Sequence, residues 1–388
     1  MPKRGNTRAP QGSGTIRQRK DGSWEARYTL GRDPGSGKQI QKSVYGKTEA
    51  EVAQKLRRIT HELDQGAFLE PSKMRVGQWL DIWLKEYCNG IKEHTKATYE
   101  TQVRVHIKPA IGAVKLAELK PHQIQTFYNR LNLSPKTIRN INGVLHRALD
   151  QAVRLEYIRT NPCDMVTLPR LEQVEMRPLD AGEMGAFLGV LKGSEYQTIC
   201  KVTMFTGMRQ SEIMALTWDR VDFVHGTIFI DRQLIHEKKK GGVYKFAPPK
   251  NDKARKLTPA PSVMEILKAR KKEQAAQRLQ AGDQWHDDGF PGLVFTDPFG
   301  KHYAHSTLTH AVTKAGERIG ISGLRFHDLR HTYAVAAIRA GDDVKTISAN
   351  LGHATVAFTL DKYAHYTEAM RQDSASRMEA FMAGIENV

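Results

Sequence analysis

The chain has 388 residues with 40% apolar content, room for two to four domains with ordinary packed cores, which excludes a disulfide-stapled peptide or a fibre. Lys and Arg (59) outnumber Asp and Glu (42) for a net charge of +17, a field that gathers polyanions and puts nucleic acid ahead of anionic membrane as the partner class. No run approaches the roughly 18–20 apolar residues of a membrane helix, Met1-Pro2-Lys3-Arg4 leads into polar sequence without a signal segment, and Cys88, Cys163 and Cys200 form no C-x-x-C pair, so the expectation is a cytoplasmic protein with reduced thiols and no membrane association.

Residues 1–50 carry eleven Lys/Arg against four Asp/Glu, so +7 of the +17 lies in about an eighth of the chain. There Thr15–Arg19, Trp24–Leu30 and Gln39–Tyr45 alternate apolar with polar residues, separated by Asp21-Gly22 and Asp33-Pro34-Gly35-Ser36-Gly37, which predicts three short antiparallel strands. Arg17, Arg19, Lys20 and Arg27 interleave with Trp24 and Tyr28, and a small sheet so equipped can enter a DNA major groove; Trp24 can equally be core. Thr48-Glu49-Ala50-Glu51 then opens a helix with Val52, Leu56, Ile59 and Leu63 on one face.

From about Arg75 to Cys163 the pattern is helical. Val76, Trp79, Leu80, Trp83, Leu84 and Tyr87 follow the i, i+3, i+4, i+7 rule, and Pro109 and Gly112 close a second helix. Ser134-Pro135 caps another, striped by Ile138, Ile141, Leu145, Leu149 and Ala152; four helices fit the span. The stretch from Asn161 to Pro178 has no periodicity and reads as a linker. A mixed domain begins at Leu179, with helical patterns over Glu183–Leu191 and Glu195–Phe205 and a strand at Thr227–Asp231. Val243–Pro248 and Ala254–Pro259 are paired strands with Lys250 at their hairpin tip, and helices dominate beyond them. The fold class is therefore multidomain α+β: a three-stranded sheet plus helix (1–70), a helical domain (71–165), a linker (166–178) and a mainly helical domain with a small antiparallel sheet (179–388).

Four separated pieces carry chemistry: Thr206-Gly207-Met208-Arg209-Gln210-Ser211-Glu212; Pro248-Pro249-Lys250-Asn251; His327-Asp328-Leu329-Arg330-His331-Thr332; and Leu351-Gly352-His353 followed by Thr359-Leu360-Asp361-Lys362-Tyr363-Ala364-His365. A phosphodiester repels nucleophiles and has a poor leaving group, so its cleavage needs cations on the phosphate, a nucleophile and an acid. Arg209 and Arg330 suit the clamp because a guanidinium stays charged and offers a planar fork of donors. Glu212, one helical turn from Arg209, is an acceptor that fixes it, or an ordinary surface pair. His327 and His331 share a helix face and can be taken for a zinc pair, which the cationic Arg330 between them disfavours; His331 reads as a packing histidine. Tyr363 and Tyr366 compete as nucleophile.

Together and in this order the four pieces resemble the tyrosine recombinase (phage integrase) family, and the N-terminal module and length resemble the integrases of conjugative transposons and Gram-positive prophages. The resemblance implies an arm-site DNA-binding domain, a SAM-like core-binding domain and a catalytic domain. It implies phosphate hydrogen bonds from His327 and His353, and a general-acid role for Lys250, with Lys253 the alternative. The run Thr359-Leu360-Asp361-Lys362-Tyr363-Ala364-His365 matches the family's pattern at Tyr363 and so implies Tyr363 as the nucleophile, and Glu212 supports the site. No metal or cofactor is implied. The implied partners are double-stranded DNA at core and arm sites, further copies of the chain (a tetramer in the synapse), and an excisionase or host DNA-bending protein. Met378, Phe381, Met382 and Ile385 form a C-terminal stripe that packs on its own domain or, as in the family, on a neighbouring protomer. The rival readings are a chromosome-dimer resolvase, a topoisomerase of the same chemistry and a catalytically dead DNA-binding regulator.

Overall fold

The computed structural model of the chain describes residues 14–33, 35–64, 73–171, 177–237, 242–249, 253–353, 355–361 and 363, together with 375, 378, 379, 382, 383 and 385. It divides into two units, Met1–Glu172 and Gln173–Val388.

In the first unit, β1 (Thr15–Gln18), β2 (Trp24–Arg32) and β3 (Gln39–Gly46) form an antiparallel sheet in that order. Aspartates fold both turns: Asp21 accepts from the Ser23 N–H (3.0 Å) and Asp33 from those of Gly35 (2.8 Å) and Ser36 (2.7 Å). Helix α1 (Glu49–Asp64) covers one face, where Ala26 and Tyr28 pack with Val52 and Leu56 and Trp24 lies at the margin. Because side chains alternate along a strand, Arg17, Glu25, Arg27 and Ser43 stand on the opposite, uncovered face.

The helical part of this unit has its own core. Helix α2 (Val76–Ile82) runs into a π-helical turn (Trp83–Tyr87); α3 (Glu93–Gln102) passes through a second π turn (Val103–Ile107) into α4 (Lys108–Ile111); α5 (Pro121–Asn129) and α6 (Pro135–Arg154) follow. These are the four expected rods, with π turns that periodicity did not signal. Trp79 is fully buried and donates its indole N–H to the Ala148 carbonyl at 2.8 Å. Ser134 caps α6 ahead of Pro135, accepting from the Thr137 N–H at 3.3 Å. Part of the predicted linker is tied down: Gln125 bonds the backbone N–H and C=O of Thr167, and Arg139 donates to the Pro169 carbonyl.

The second unit opens with α7 (Ala181–Val190), capped reciprocally by Asp180 and Glu183, and α8 (Gln197–Thr206); α9 (Gln210–Ile213) is a single turn. Then come β4 (Val221–Asp222), β5 (Thr227–Ile230), β6 (Gln233–Glu237), β7 (Val243–Ala247) and β8 (Arg255–Leu257). Helices α10 (Pro261–Ala281), α11 (His305–Arg318), α12 (Phe326–Arg339) and α13 (Val344–Leu351) complete the named elements, and residues 356–361 are also helical. Strand pairing corrects one expectation. β7 and β8 are not a hairpin: β7 pairs with β6, and β8 pairs with β5 in the sheet β4-β5-β8. The reason is burial, since Ile228, Ile230 and Leu257 all enter the main core, where β8 completes the face begun by β5. Lys250 lies outside the described residues, between strands that belong to different sheets.

Helix α8 ends where Gly207 takes a left-handed conformation (φ 65°), and a β-carbon there would meet Tyr333 at 2.4 Å and Leu351 at 2.8 Å. Gly207→Ala should therefore cost about 1–3 kcal/mol of stability, read from urea unfolding of the full chain; an unchanged midpoint would contradict this account of the turn.

Candidate active site

Local geometry places the first arginine. Gly207 turns the chain at the end of α8, Arg209 becomes the N-cap of α9, and Glu212 reaches back at the N3 position. The Glu212 carboxylate accepts from the Arg209 backbone N–H (2.9 Å) and its Nη1 (2.7 Å). A third guanidinium enters from β8: Arg255 grips the same carboxylate through Nη1 (3.0 Å) and Nη2 (2.6 Å) and donates Nε–H to the Asn350 carbonyl (2.9 Å). Glu212 is 2% exposed. Burial pushes its carboxyl up, but Arg255 and then Arg209 outweigh that and hold it down to about 2.

Arg330 comes from the first turns of α12 and is also 2% exposed. Its Nη1 donates to the Gly207 carbonyl at 2.7 Å and its Nη2 to that of Leu351. Arg209 donates Nη2 to the carbonyl of Gly352 (3.0 Å), the left-handed residue (φ 61°) that ends α13. Thus the C-terminal ends of two helices, where unpaired carbonyls collect negative charge, face Arg209 and Arg330. Burial, then the neighbouring Arg209, lower the Arg330 guanidinium to about 9, which leaves it charged at neutral pH.

Gly352 delivers His353 next to this cluster. Its Nδ1 bonds the Thr359 hydroxyl at 2.7 Å. Desolvation, followed by Arg330 and Arg209, holds His353 down to about 4. Desolvation and then Arg330 do the same to His327, although the residue as a whole stays exposed. Both imidazoles are therefore neutral at pH 7 and can donate an N–H to an anion. Tyr363 is 1% exposed against Ala334, Val335, Ile338, Ile347 and Leu351, and burial pushes its phenol up to about 12, opposed by Arg330. Its hydroxyl lies 2.7 Å from Nδ1 of His331, whose ring meets that of His327 edge-on at 4.8 Å.

The structure thus assembles Arg209, Glu212, Arg330, His353 and Tyr363, with His327 one turn from His331 on α12. Lys250 and Tyr366 lie outside the described residues, and Lys253 is exposed. In the N-terminal sheet Arg17 and Arg27 both pair with Glu25 (2.6 and 3.1 Å), Arg19 pairs with Asp21 and overlies Tyr45, and Lys20 is exposed. Two contributors escaped the sequence reading. Arg255 was one basic residue among Lys253, Arg255 and Lys256, with no local signal to separate it. His331 read as packing because its partner lies 32 residues away.

Residues 179–370 match the phage integrase family, and residues 76–132 match the N-terminal SAM-like domain of phage integrases. A tyrosine recombinase XerC-like protein of Caldanaerobacter subterraneus is 30% identical over 355 residues, spanning 87% of this chain and 90% of that protein. The ICEBs1 integrase of Bacillus subtilis is 21% identical over 94% of this chain and 99% of its own length. In fold, the chain is similar to the Tn1549 transposon integrase in complex with a circular intermediate DNA (TM-score 0.67, 21% identity, 79% of this chain and 99% of that one). It is also similar to the lambda integrase tetramer bound to a Holliday junction (TM-score 0.55, 18% identity, 90% and 97%).

Replacing Glu212 by Gln leaves the half-buried Arg209 and Arg255 without their counter-charge and should cost about 3 kcal/mol in urea unfolding at pH 7. Because the folded pKa lies below the ordinary 4.5, the carboxylate's contribution is complete above about pH 4.5 and lost as pH falls toward about 2. The gap between wild type and variant should narrow over that window; a constant gap would contradict the assignment.

Proposed function

This chain belongs to the phage integrase family, and we propose that it is a site-specific tyrosine recombinase that cuts and rejoins duplex DNA to integrate or excise a mobile element. The observation that carries the reading is the convergence of Arg209 and Arg330, from segments far apart in sequence, on one spot beside the hydroxyl-bearing Tyr363. Arg209 and Arg330 hold the non-bridging oxygens of the scissile phosphate, and His327 and His353 donate hydrogen bonds to it. Tyr363 attacks phosphorus, forming a 3′-phosphotyrosyl link and releasing a 5′-hydroxyl; Lys250 gives that oxygen its proton. The hydroxyl of the partner duplex reverses the step. The phosphodiester energy is kept in the covalent link, so no nucleotide cofactor is needed.

The division of labour follows the domains. The helical and catalytic domains grip the core site, while the face of the N-terminal sheet left open by α1 presents Arg17 and Arg27, with Arg19 and Lys20 at its edge, to arm sites. A tetramer on two duplexes performs the exchange, assisted by an excisionase or a host DNA-bending protein in the bacterial cytoplasm. Met378, Met382 and Ile385, each more than half exposed, supply an apolar surface for a neighbouring protomer; Phe381 lies outside the described residues.

A nicked duplex carrying the element's end should trap the protein covalently, whereas a DNA-binding regulator would leave no adduct. Arg330→Lys, which keeps the charge but loses the fork, should slow trapping roughly 100-fold or more with core binding retained; an unchanged rate would remove Arg330 from the clamp. A fragment starting near Pro71 should keep core cleavage but lose a footprint on short repeats away from the cut, and its binding should depend less steeply on salt. Equal footprints from the fragment and the full chain would reject the arm-reading role.

A further inference from the structure

The phenol of Tyr363 must lose a proton when it becomes a nucleophile, and the described residues around it leave few places for that proton to go. The side chain is 1% exposed and walled by Ala334, Val335, Ile338, Ile347 and Leu351, so bulk water has little access. Arg330 carries no acceptor lone pair. His353 directs Nδ1 at the Thr359 hydroxyl, not at Tyr363. His331 is itself buried on α12, and its Nδ1 stands 2.7 Å from the phenolic oxygen. With the ring proton on Nε2, Nδ1 accepts the hydrogen bond that the phenol donates.

We propose that His331 is the proton acceptor for Tyr363, taking the phenolic proton on Nδ1 as the bond from Tyr363 Oη to phosphorus forms. The inference rests on the reading of Tyr363 as the nucleophile. As that bond forms, the P–O5′ bond breaks, the phenolic proton moves to His331, and the leaving oxygen takes a separate proton from the general acid assigned to Lys250. In rejoining, the 5′-hydroxyl attacks, its proton returns to that acid, and His331 returns its own proton to Tyr363 Oη. Formation of the imidazolium between Arg330 and the edge-on His327 is offset by the negative charge that arrives with the phosphate. Because burial and Arg330 leave the free phenol near a pKa of 12, almost none of it is ionised at neutral pH, so an adjacent acceptor has a large effect. His331 thus acts on the reacting atom, while Arg330, its neighbour in sequence, acts on the phosphate.

The test is single-turnover adduct formation by the full chain on a nicked duplex carrying the element's end. His331→Asn keeps an amide oxygen near the Nδ1 position, able to accept a hydrogen bond but not a proton. It should slow adduct formation roughly 100-fold or more while core DNA binding persists. Placing 3,5-difluorotyrosine, a more acidic phenol, at position 363 of that variant should restore most of the rate. A wild-type rate in His331→Asn, or a slow variant that the fluorinated phenol does not rescue, overturns the proposal. If the variant loses core binding, the otherwise unaltered protein carrying difluorotyrosine decides. Its rate should rise far less steeply than the ionised fraction of the phenol, because the acceptor already takes the proton, whereas a rise in step with phenol ionisation overturns the proposal. Failure of the underlying reading is distinct: wild type would form no adduct, or Tyr363→Phe would still form one.

Discussion

Glu212 is the residue on which the second unit's chemistry depends. Its single buried carboxylate is shared by Arg209 and Arg255, with the Arg330 guanidinium close by. Two like charges about 4 Å apart at an effective dielectric near 20 repel by about 4 kcal/mol, so without a counter-charge such a group would disperse toward solvent. Carbonyls make up the remaining balance: Gly207 at the end of α8, and Leu351 and Gly352 at the end of α13, accept from the arginines. Left-handed glycines make this possible, because they turn the chain while aiming the terminal carbonyls into the cluster. Positive charge is thereby assembled before DNA arrives. On the proposed reading, a phosphate entering the site meets cationic donors already gathered there.

The same cluster governs the histidines. Partial desolvation of their rings, together with the nearby guanidiniums, holds His327 and His353 down to about 4, so each ring is neutral at pH 7. On the other side of the site the environment reverses. Tyr363 sits in an apolar wall with its hydroxyl on His331, and the wall and the cations are joined by α12, which contributes His327, Arg330 and His331 within five residues. One helix therefore holds the Arg330 guanidinium on the glycine-end carbonyls and the His331 imidazole on the Tyr363 phenol.

Much of this was legible in the sequence wherever the signal was local. Ser134-Pro135 announced α6, Asp21-Gly22 and Asp33–Gly37 announced the N-terminal turns, and the short patterns around Arg209, Arg330, His353 and Tyr363 marked residues that the fold then brings together. What escaped depends on long-range pairing. β7 and β8 alternate in the same way and are near neighbours in sequence, so only the core that receives Leu257 beside Ile228 and Ile230 reveals that β8 belongs with β5. Arg255 is distinguished from Lys253 and Lys256 solely by reaching Glu212, 43 residues earlier. Nothing in the helical periodicity separated His331 from an ordinary core residue, since its meaning comes from Tyr363.

The central claim is that this cationic cluster and its buried phenol form one phosphoryl-transfer site. The most direct measurement is to trap the full chain on a nicked duplex carrying the element's end, digest the complex, and locate the nucleotide-bearing residue by mass spectrometry. The account predicts a 3′-phosphonucleotide on Tyr363. Attachment at Tyr366 or any other residue, or cleavage without a covalent link, would contradict it.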